Sequence, residues 1–501
     1  MVRETIKVDY KHKSGYITCS NPNTALLIRA HFSIENRSFS KSAFAAKRKY
    51  AITPIGAFQI GLWNEIQNFI LSLGKPIDIQ ITPEFKKNYK PTIKVPKIQT
   101  IDGYKYYDYQ ENAIKCLLSH GRGIALMATS AGKTLCFAGL IKTILHVNPK
   151  ARILITVPTS SLLRQTFDEF VDKFGFTSIE RWGSGHEPTF EKNVLIAIHN
   201  SLWQDINYSV SKLENYDYVI SDEAHLIGEK ETKKNKDKKQ THLISKIIHN
   251  IKTPNKFGFT GTLPDSRSAC WNIIGKIGPI LFQKSSYEIR KQGTATDIHV
   301  NILSLVHSED VPEPTKDIED EFGNIITVID DLATAKYNAE RKFLYNSQKR
   351  NDIIRKLATR LEGNGMILID NIEQGEILMD ILSKFDKKVY FVRGSMAEAS
   401  RKEIIQLMED QTGIVCIAIS KCFATGLSIN NLHWLIFPAI GKSTVKIMQS
   451  LGRSMRLHES KDLAKVYDLT DNTRYSSDHG ILRQQLYTKE KINFSVKKIV
   501  L

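Results

Sequence analysis

Apolar and polar positions along the 501-residue chain follow two different rhythms. From about residue 96 onward, short apolar runs at Ile153–Val157, Val194–Ile198 and 218–220 are separated by amphipathic stretches of helical length. That pattern predicts strands buried on both faces of a parallel sheet. A second series follows at 366–369, 389–392, 414–418 and Trp434–Phe437. Two doubly wound α/β domains in tandem are therefore expected. Before residue 96 the rhythm is that of a small α+β unit. Alternation at 5–8 and 16–18 predicts half-buried strands, a helix is expected after Asn21-Pro22-Asn23, and another over 57–73, stopped by Gly74-Lys75-Pro76. The expected boundaries are 1–95, 96–296 and 297–501, the last comprising a linker, the second α/β domain and a C-terminal helical extension. Residues 91–96 read as a linker. The acidic stretch 308–330 reads as an irregular linker or peripheral insertion.

Two segments carry chemistry on this frame. Between the apolar runs 124–127 and 135–138 stands Ala128-Thr129-Ser130-Ala131-Gly132-Lys133-Thr134. A strand, a tight loop and a helix start are expected there. Such a turn points backbone N–H groups at an anion, Lys133 adds a point charge, and Thr134 offers a hydroxyl to a magnesium ion. Met127 occupies the place of the first glycine in the strict phosphate-loop spacing. Much later, Asp222-Glu223-Ala224-His225 ends the strand at 218–220. One carboxylate can hold magnesium, and the next can orient and deprotonate a water. Together the two segments predict nucleoside triphosphate hydrolysis.

Charge changes the picture by adding a partner. The chain has a net charge of +17 and a pI near 9.3, and residues 1–95 carry more than half of that excess. The densest cluster is Lys47-Arg48-Lys49-Tyr50, with Lys41 nearby. A polyanion is the expected partner, and nucleic acid fits better than a membrane surface because no amphipathic basic helix stands out. The lysine-rich run 229–240 reads as a solvated loop. Six scattered cysteines show no Cys-x-x-Cys spacing, so neither zinc nor a disulfide framework is expected. With a polar start and no apolar run of membrane-spanning length, a soluble, cytoplasmic protein is expected.

Further segments appear in a telling order: Val157-Pro158-Thr159-Ser160-Ser161-Leu162-Leu163-Arg164-Gln165, Thr260-Gly261-Thr262, Arg393-Gly394, Ala424-Thr425-Gly426-Leu427-Ser428, and Gln449-Ser450-Leu451-Gly452-Arg453-Ser454-Met455-Arg456. With the phosphate loop and the acidic motif, this series resembles the superfamily 2 helicases over residues 104–470. Tyr109-Gln110 is similar to their glutamine motif. The resemblance implies two RecA-like domains and an ATP site that includes Gln110, Ser130, Ala131, Gly132, Lys133 and Thr134. Thr134 and Asp222 would hold Mg2+, and Glu223, Gln449, Arg453 and Arg456 would join the chemistry. Arg453 and Arg456, about one helical turn apart, would act as arginine fingers. Pro158, Thr159, Arg164, Arg393, Gly394, Thr425 and Gly426 would contact one strand's backbone, with Thr260 and Thr262 coupling that track to the nucleotide. Lys47, Arg48 and Lys49 would engage duplex DNA.

The Ser-Ala-Gly-Lys-Thr loop, Ser428 in place of a common aspartate, and the basic domain ahead of the motor resemble phage recombination-repair helicases. That implies work on branched DNA: branch migration, fork regression and displacement of strands from D- or R-loops; RNA in hybrids is a further expected partner, and a monomer is expected. Two other readings stay open. A restriction translocase shares this motor, although no Pro-Asp…Asp/Glu-x-Lys nuclease pattern is present. A non-catalytic nucleic-acid clamp would keep the fold without the turnover.

Overall fold

The computed structural model describes residues 3–35, 48–90, 95–228, 244–319, 325–385, 387–420, 429–438, 441, 443–454 and 456–501. Contacts divide the chain into one compact unit, Met1–Lys284, and a second, Ser285–Leu501. Among the described residues no helix is long and apolar enough to cross a membrane.

Unit 1 begins with the strands Glu4–Lys11 (β1), Ser14–Cys19 (β2), Ser33–Glu35 (β3), Arg48–Tyr50 (β4), Ala57–Phe58 (β5) and Ile77–Ile81 (β6). Four of them form a mixed sheet in the order β5-β2-β1-β6, with β1 and β6 parallel. β3 and β4 form a separate antiparallel pair. Asn21 accepts from the Asn23 N–H and caps the helix Pro22–His31, as its sequence suggests. The helix expected over 57–73 is shorter. Residues 57–58 pair with β2, a 3-10 turn covers Ile60–Leu62, and the helix is Trp63–Ser72.

The larger sheet of unit 1 contains Gly123–Met127 (β7), Ile153–Val157 (β8), Ile179–Trp182 (β9), Val194–Ile198 (β10), Tyr218–Ser221 (β11), Lys256–Thr260 (β12) and Ile280–Lys284 (β13). All seven are parallel, in the order β13-β7-β12-β11-β8-β10-β9. Every position of β8 and β10 is buried, which is why these strands read as unbroken apolar runs. The one hydroxyl in β8, Thr156, donates to Ser221 Oγ at 3.1 Å, so burial leaves it satisfied.

The two sheets of unit 1 share one core. Ile6, Val8, Phe58, Trp63, Ile66 and Phe85 belong to the same buried cluster as Ile124, Trp271, Ile273, Ile274 and Ile277. Arg122, fully buried just before β7, seals this seam. It donates to Ile277 O (2.8 Å) and Lys276 O (2.9 Å) at the end of the helix Arg267–Ile277, and to Asn88 O (3.2 Å) in the helix Pro83–Tyr89. Burial lowers Arg122 to about 10, and helix C-terminal carbonyls stand in for a carboxylate partner. Gly61 lies so close to this helix that a Cβ there would sit 2.0 Å from Ile274 O. Gly61→Val is therefore expected to cost about 1–3 kcal/mol through overpacking, read as a lowered melting temperature. An unchanged melting curve would contradict the fused core.

Unit 2 contributes Asp297–Val306 (β14), Thr315–Glu319 (β15), Ile325–Ile329 (β16), Gly365–Ile369 (β17), Lys388–Val392 (β18), Ile414–Ile419 (β19), Trp434–Phe437 (β20), Leu463–Asp471 (β21) and Asn493–Val500 (β22). Seven form a second parallel sheet, β18-β19-β17-β20-β21-β14-β22. The tandem RecA-like α/β architecture with a small N-terminal sheet is thus present. Two elements differ from expectation. The C-terminal part is the helix Arg474–Lys489 followed by β22, which joins the sheet edge. The acidic stretch 308–330 holds the antiparallel hairpin β15–β16. Its second strand consists entirely of β-branched residues, and that preference outweighs the acidic flanks.

Candidate nucleotide and strand-contact site

Parallel strands send all their C-terminal ends to one edge of the sheet, where ligands of such sheets bind. In unit 1 the neighbouring strands β7, β12, β11 and β8 bring four predicted segments there side by side. They are the Ala128–Thr134 loop, Thr260–Thr262, Asp222-Glu223, and Pro158-Thr159.

The loop turns through two left-handed residues, Ser130 (φ 71°) and Gly132 (φ 72°), before the helix Lys133–Val147 begins. That conformation suits glycine and strains serine. Ala131 N–H donates to Ala128 O at 3.1 Å, closing the turn. Lys133 Nζ lies 3.4 Å from Met127 O at the end of β7. Gln110 is buried and braces the loop. Its Nε2 donates to Ala131 O (3.1 Å), while its Oε1 accepts from Tyr107 N–H (3.0 Å) and caps its own helix. Tyr109 adds its hydroxyl to Ala131 O at 3.3 Å, stacks on Tyr107, and has Lys284 Nζ 5.0 Å from its ring centroid. A Cβ at Gly132 would meet Gln110 Nε2 at 2.4 Å and be strained at φ 72°, so glycine suits this position.

Asp222 is buried, with its N–H bonded to Thr156 O in β8 (3.0 Å). Burial first, then the Glu223 carboxylate, raise the Asp222 carboxyl above the usual range, and the Lys133 charge opposes them. Glu223 adopts φ 47° and donates its N–H to Asp222 Oδ1 (2.9 Å). Such a backbone is uncommon outside glycine. Among the described residues no group of three or more His, Cys, Asp or Glu gathers as a metal site. Thr134 and Asp222 offer two hard oxygen donors, which suits magnesium, an ion that usually keeps waters and phosphate oxygens as its other ligands.

Sequence reading gave His225 no role. The structure puts its Nδ1 2.9 Å from Thr260 Oγ1 and 3.2 Å from Glu223 Oε2. Thr260 is fully buried and its hydroxyl donates to Thr262 O (2.9 Å). A continuous polar link therefore runs from Glu223 through His225 to Thr260 and Thr262. The signal in the sequence was the histidine three residues after Asp222, together with a threonine closing the next strand.

The strand-contact candidates are placed less uniformly. Thr159 caps the helix Ser160–Asp168, its Oγ1 accepting from Leu162 N–H at 3.3 Å, and Arg164 lies on that helix. In unit 2, Arg393 and Gly394 follow β18. Arg393 is half exposed and 3.5 Å from Glu376, and Gly394 O accepts from Arg401 at 2.9 Å. Gln449 and Arg453 are one turn apart on the helix Thr444–Ser454. Arg456 lies beyond the end of that helix, with its carbonyl accepting from Thr296 Oγ1 at 2.9 Å. The expected helical spacing of the two arginines does not hold, because the helix stops between them. Arg48 and Lys49 form part of β4, where Arg48 Nε bonds Ser33 Oγ at 3.0 Å. Lys47, Thr425 and Gly426, like the run 229–240, lie outside the described residues.

Residues 103–265 match the family model of the type III restriction enzyme res subunit, and residues 348–458 match that of the helicase conserved C-terminal domain. The chain is 28% identical over 470 residues to the ATP-dependent DNA helicase uvsW of Enterobacteria phage T4, covering 88% of this chain and 87% of that protein. It is 23% identical over 407 residues to the DNA 3'-5' translocase XPB2 of Sulfurisphaera tokodaii, covering 76% and 84%. Among solved structures, the type ISP restriction-modification enzyme LlaBIII bound to DNA aligns with TM-score 0.58 at 16% identity, over 87% of this chain and 34% of that one. S. cerevisiae Dbp5 bound to RNA and ADP BeF3 aligns with TM-score 0.52 at 13% identity, over 79% and 90%. Both share the fold.

Proposed function

Because the chain is a superfamily 2 ATP-dependent DNA helicase, we propose that it spends ATP on remodelling branched DNA: branch migration, fork regression and unwinding of D- and R-loops. One observation carries the reading beyond a generic motor. The basic N-terminal sheet shares a core with the first motor sheet, so Arg48 and Lys49 belong to the same body as the ATP loop. A duplex-gripping element fixed to a strand-tracking motor pulls one arm of a junction against another. A tethered element would let that force dissipate in the linker.

In this reading the N–H groups around Ser130, Ala131 and Gly132 cradle the phosphates beside Lys133, and Gln110 ties the loop to the nucleotide end. Thr134 and Asp222 hold Mg2+, which when bound neutralises phosphate charge. Glu223 orients and deprotonates the attacking water. Gln449, Arg453 and Arg456 supply polar and positive groups to the phosphates as charge develops. Pro158, Thr159, Arg164, Arg393, Gly394, Thr425 and Gly426 hold one strand by its backbone, which needs no base sequence. Lys47, Arg48 and Lys49 take the duplex. The link from Glu223 through His225 to Thr260 and Thr262 reports hydrolysis toward the strand track.

Displacement of a labelled strand from a four-way junction, a fork, a D-loop and a linear blunt duplex tests the proposal. Junction and fork are expected to be processed at least about tenfold faster than the linear duplex, with every strand intact. An Arg48→Glu/Lys49→Glu variant is expected to lose that preference while keeping turnover stimulated by single-stranded DNA. Equal rates on all substrates would refute the branched-DNA reading. Cut products would favour the restriction translocase.

A further inference from the structure

Unit 2 carries an element that neither the ATP site nor the strand track uses. The hairpin β15–β16 lies between β14 and the helix Ala333–Asn346. Among the described residues its two strands pair only with each other, so both edges of this small sheet are open ladders there. Ile318, Ile325, Ile329 and the adjoining Leu332 are 40%, 76%, 56% and 60% exposed. Single exposed apolar residues are ordinary, but Ile325 and Ile329 lie on the same face of one short strand and form a patch. Open edges of soluble sheets are usually blunted by lysine, proline or a bulge. Here a single lysine, Lys316, is present within the strands.

Charge says what can approach. Residues 309–331 contain nine Asp or Glu and one Lys in a chain of net charge +17. Lys316 reaches Asp330 (3.7 Å), and Lys336 reaches Asp331 (3.0 Å) and Glu313 (3.8 Å), which leaves a large acidic excess. Such a patch repels nucleic-acid phosphate. The strand register sets Glu319 opposite Ile325 and Thr315 opposite Ile329, with Asp317 and Thr327 between them on the same face. Acids and isoleucines therefore share one face, on a backbone ready to accept a further strand. Two five-residue strands are far too short to supply the roughly 800 Å² per partner of a standard protein interface, which argues against a second copy of this chain. Strand addition needs much less area, because main-chain hydrogen bonds supply the affinity.

We propose that this hairpin is a docking site for an extended basic segment of another protein, carrying cationic and β-branched apolar residues at every second position and so on one face, which adds to the open edge. On that shared face, lysines of the added strand would lie against Asp317 and Glu319, and apolar residues two positions along against Ile325 and Ile329. The hairpin thereby recruits the helicase to a protein partner without taking part in DNA contact.

The test uses a fluorescein-labelled eight-residue peptide in which Lys and Val take turns at every second position with Thr between them, followed by anisotropy against the full chain at low and moderate salt. Its controls are the same peptide with Glu for Lys, and with Pro for two of the valines. The Lys-Val peptide is expected to bind despite the positive charge of the chain, and the controls at least tenfold more weakly. Ile325→Ser/Ile329→Ser and, separately, Asp317→Lys/Glu319→Lys are expected to weaken it at least tenfold and to leave DNA-stimulated ATP turnover unchanged. Equal binding of all three peptides, or equal binding by wild type and both variants, would overturn the proposal. So would loss of DNA-stimulated turnover in the isoleucine variant. Concentration-dependent self-association abolished by the same variants would assign the patch to a second copy, and equally overturns it.

Discussion

Lys133→Ala is expected to abolish ATP turnover, with kcat/KM falling by about a thousandfold or more. The side chain is the one cation of the phosphate loop, at the start of the helix Lys133–Val147 and beside the end of β7. It also opposes the rise of the Asp222 carboxyl. Its removal therefore strikes twice: the phosphates lose their point charge, and Asp222 is left with burial and Glu223 both favouring protonation. A protonated Asp222 is a poor magnesium ligand, so added Mg2+ is expected to recover little activity. Steady-state phosphate release at several Mg2+ concentrations reads this, with a melting curve to show that the fold survives. Turnover within tenfold of wild type would mean that the nucleotide is held elsewhere.

Glu223→Gln is expected to separate binding from chemistry. The amide keeps the size of the carboxylate and can still meet His225, but it cannot take a proton from water. A fall of about 10²- to 10⁴-fold in kcat is expected, the range for loss of a general base. Affinity for a fluorescent nucleotide analogue should stay within a few fold, since Gln110, Lys133 and Thr134 are intact. DNA-stimulated and basal turnover should fall together, because the Glu223–His225–Thr260 link reports a step that no longer occurs. A variant that hydrolyses normally would shift the base to another group. One that fails to bind nucleotide would make Glu223 structural, consistent only with its left-handed backbone.

The seven apolar runs all became strands of the two parallel sheets: burial on both faces leaves most of them an unbroken apolar signature, and β18, at the sheet edge, is only partly buried. The phosphate loop and the acidic pair were equally legible, since each is contiguous in sequence and chemically unusual. What escaped depends on contacts distant in sequence. β22 has mostly exposed positions and joins its sheet at the edge, so periodicity says little about it. The seam sealed by Arg122 connects residues up to 155 positions apart. An isolated arginine before a strand gives no hint that three backbone carbonyls will surround it. The His225–Thr260 bond likewise needs β11 and β12 to be neighbours. The hairpin at 315–329 was hidden for a different reason: the acidic flanks suggested an irregular linker or peripheral insertion, although 325–329 are all β-branched.

On this reading, this edge of the first sheet hydrolyses ATP in response to DNA. Steady-state ATP hydrolysis by the wild-type chain, with and without a synthetic four-way junction, tests it most directly. Slow basal turnover is expected, with stimulation by the junction of at least about tenfold, dependent on Mg2+. Turnover that is absent, or indifferent to DNA under every condition, would contradict it and leave a nucleic-acid clamp on a helicase fold.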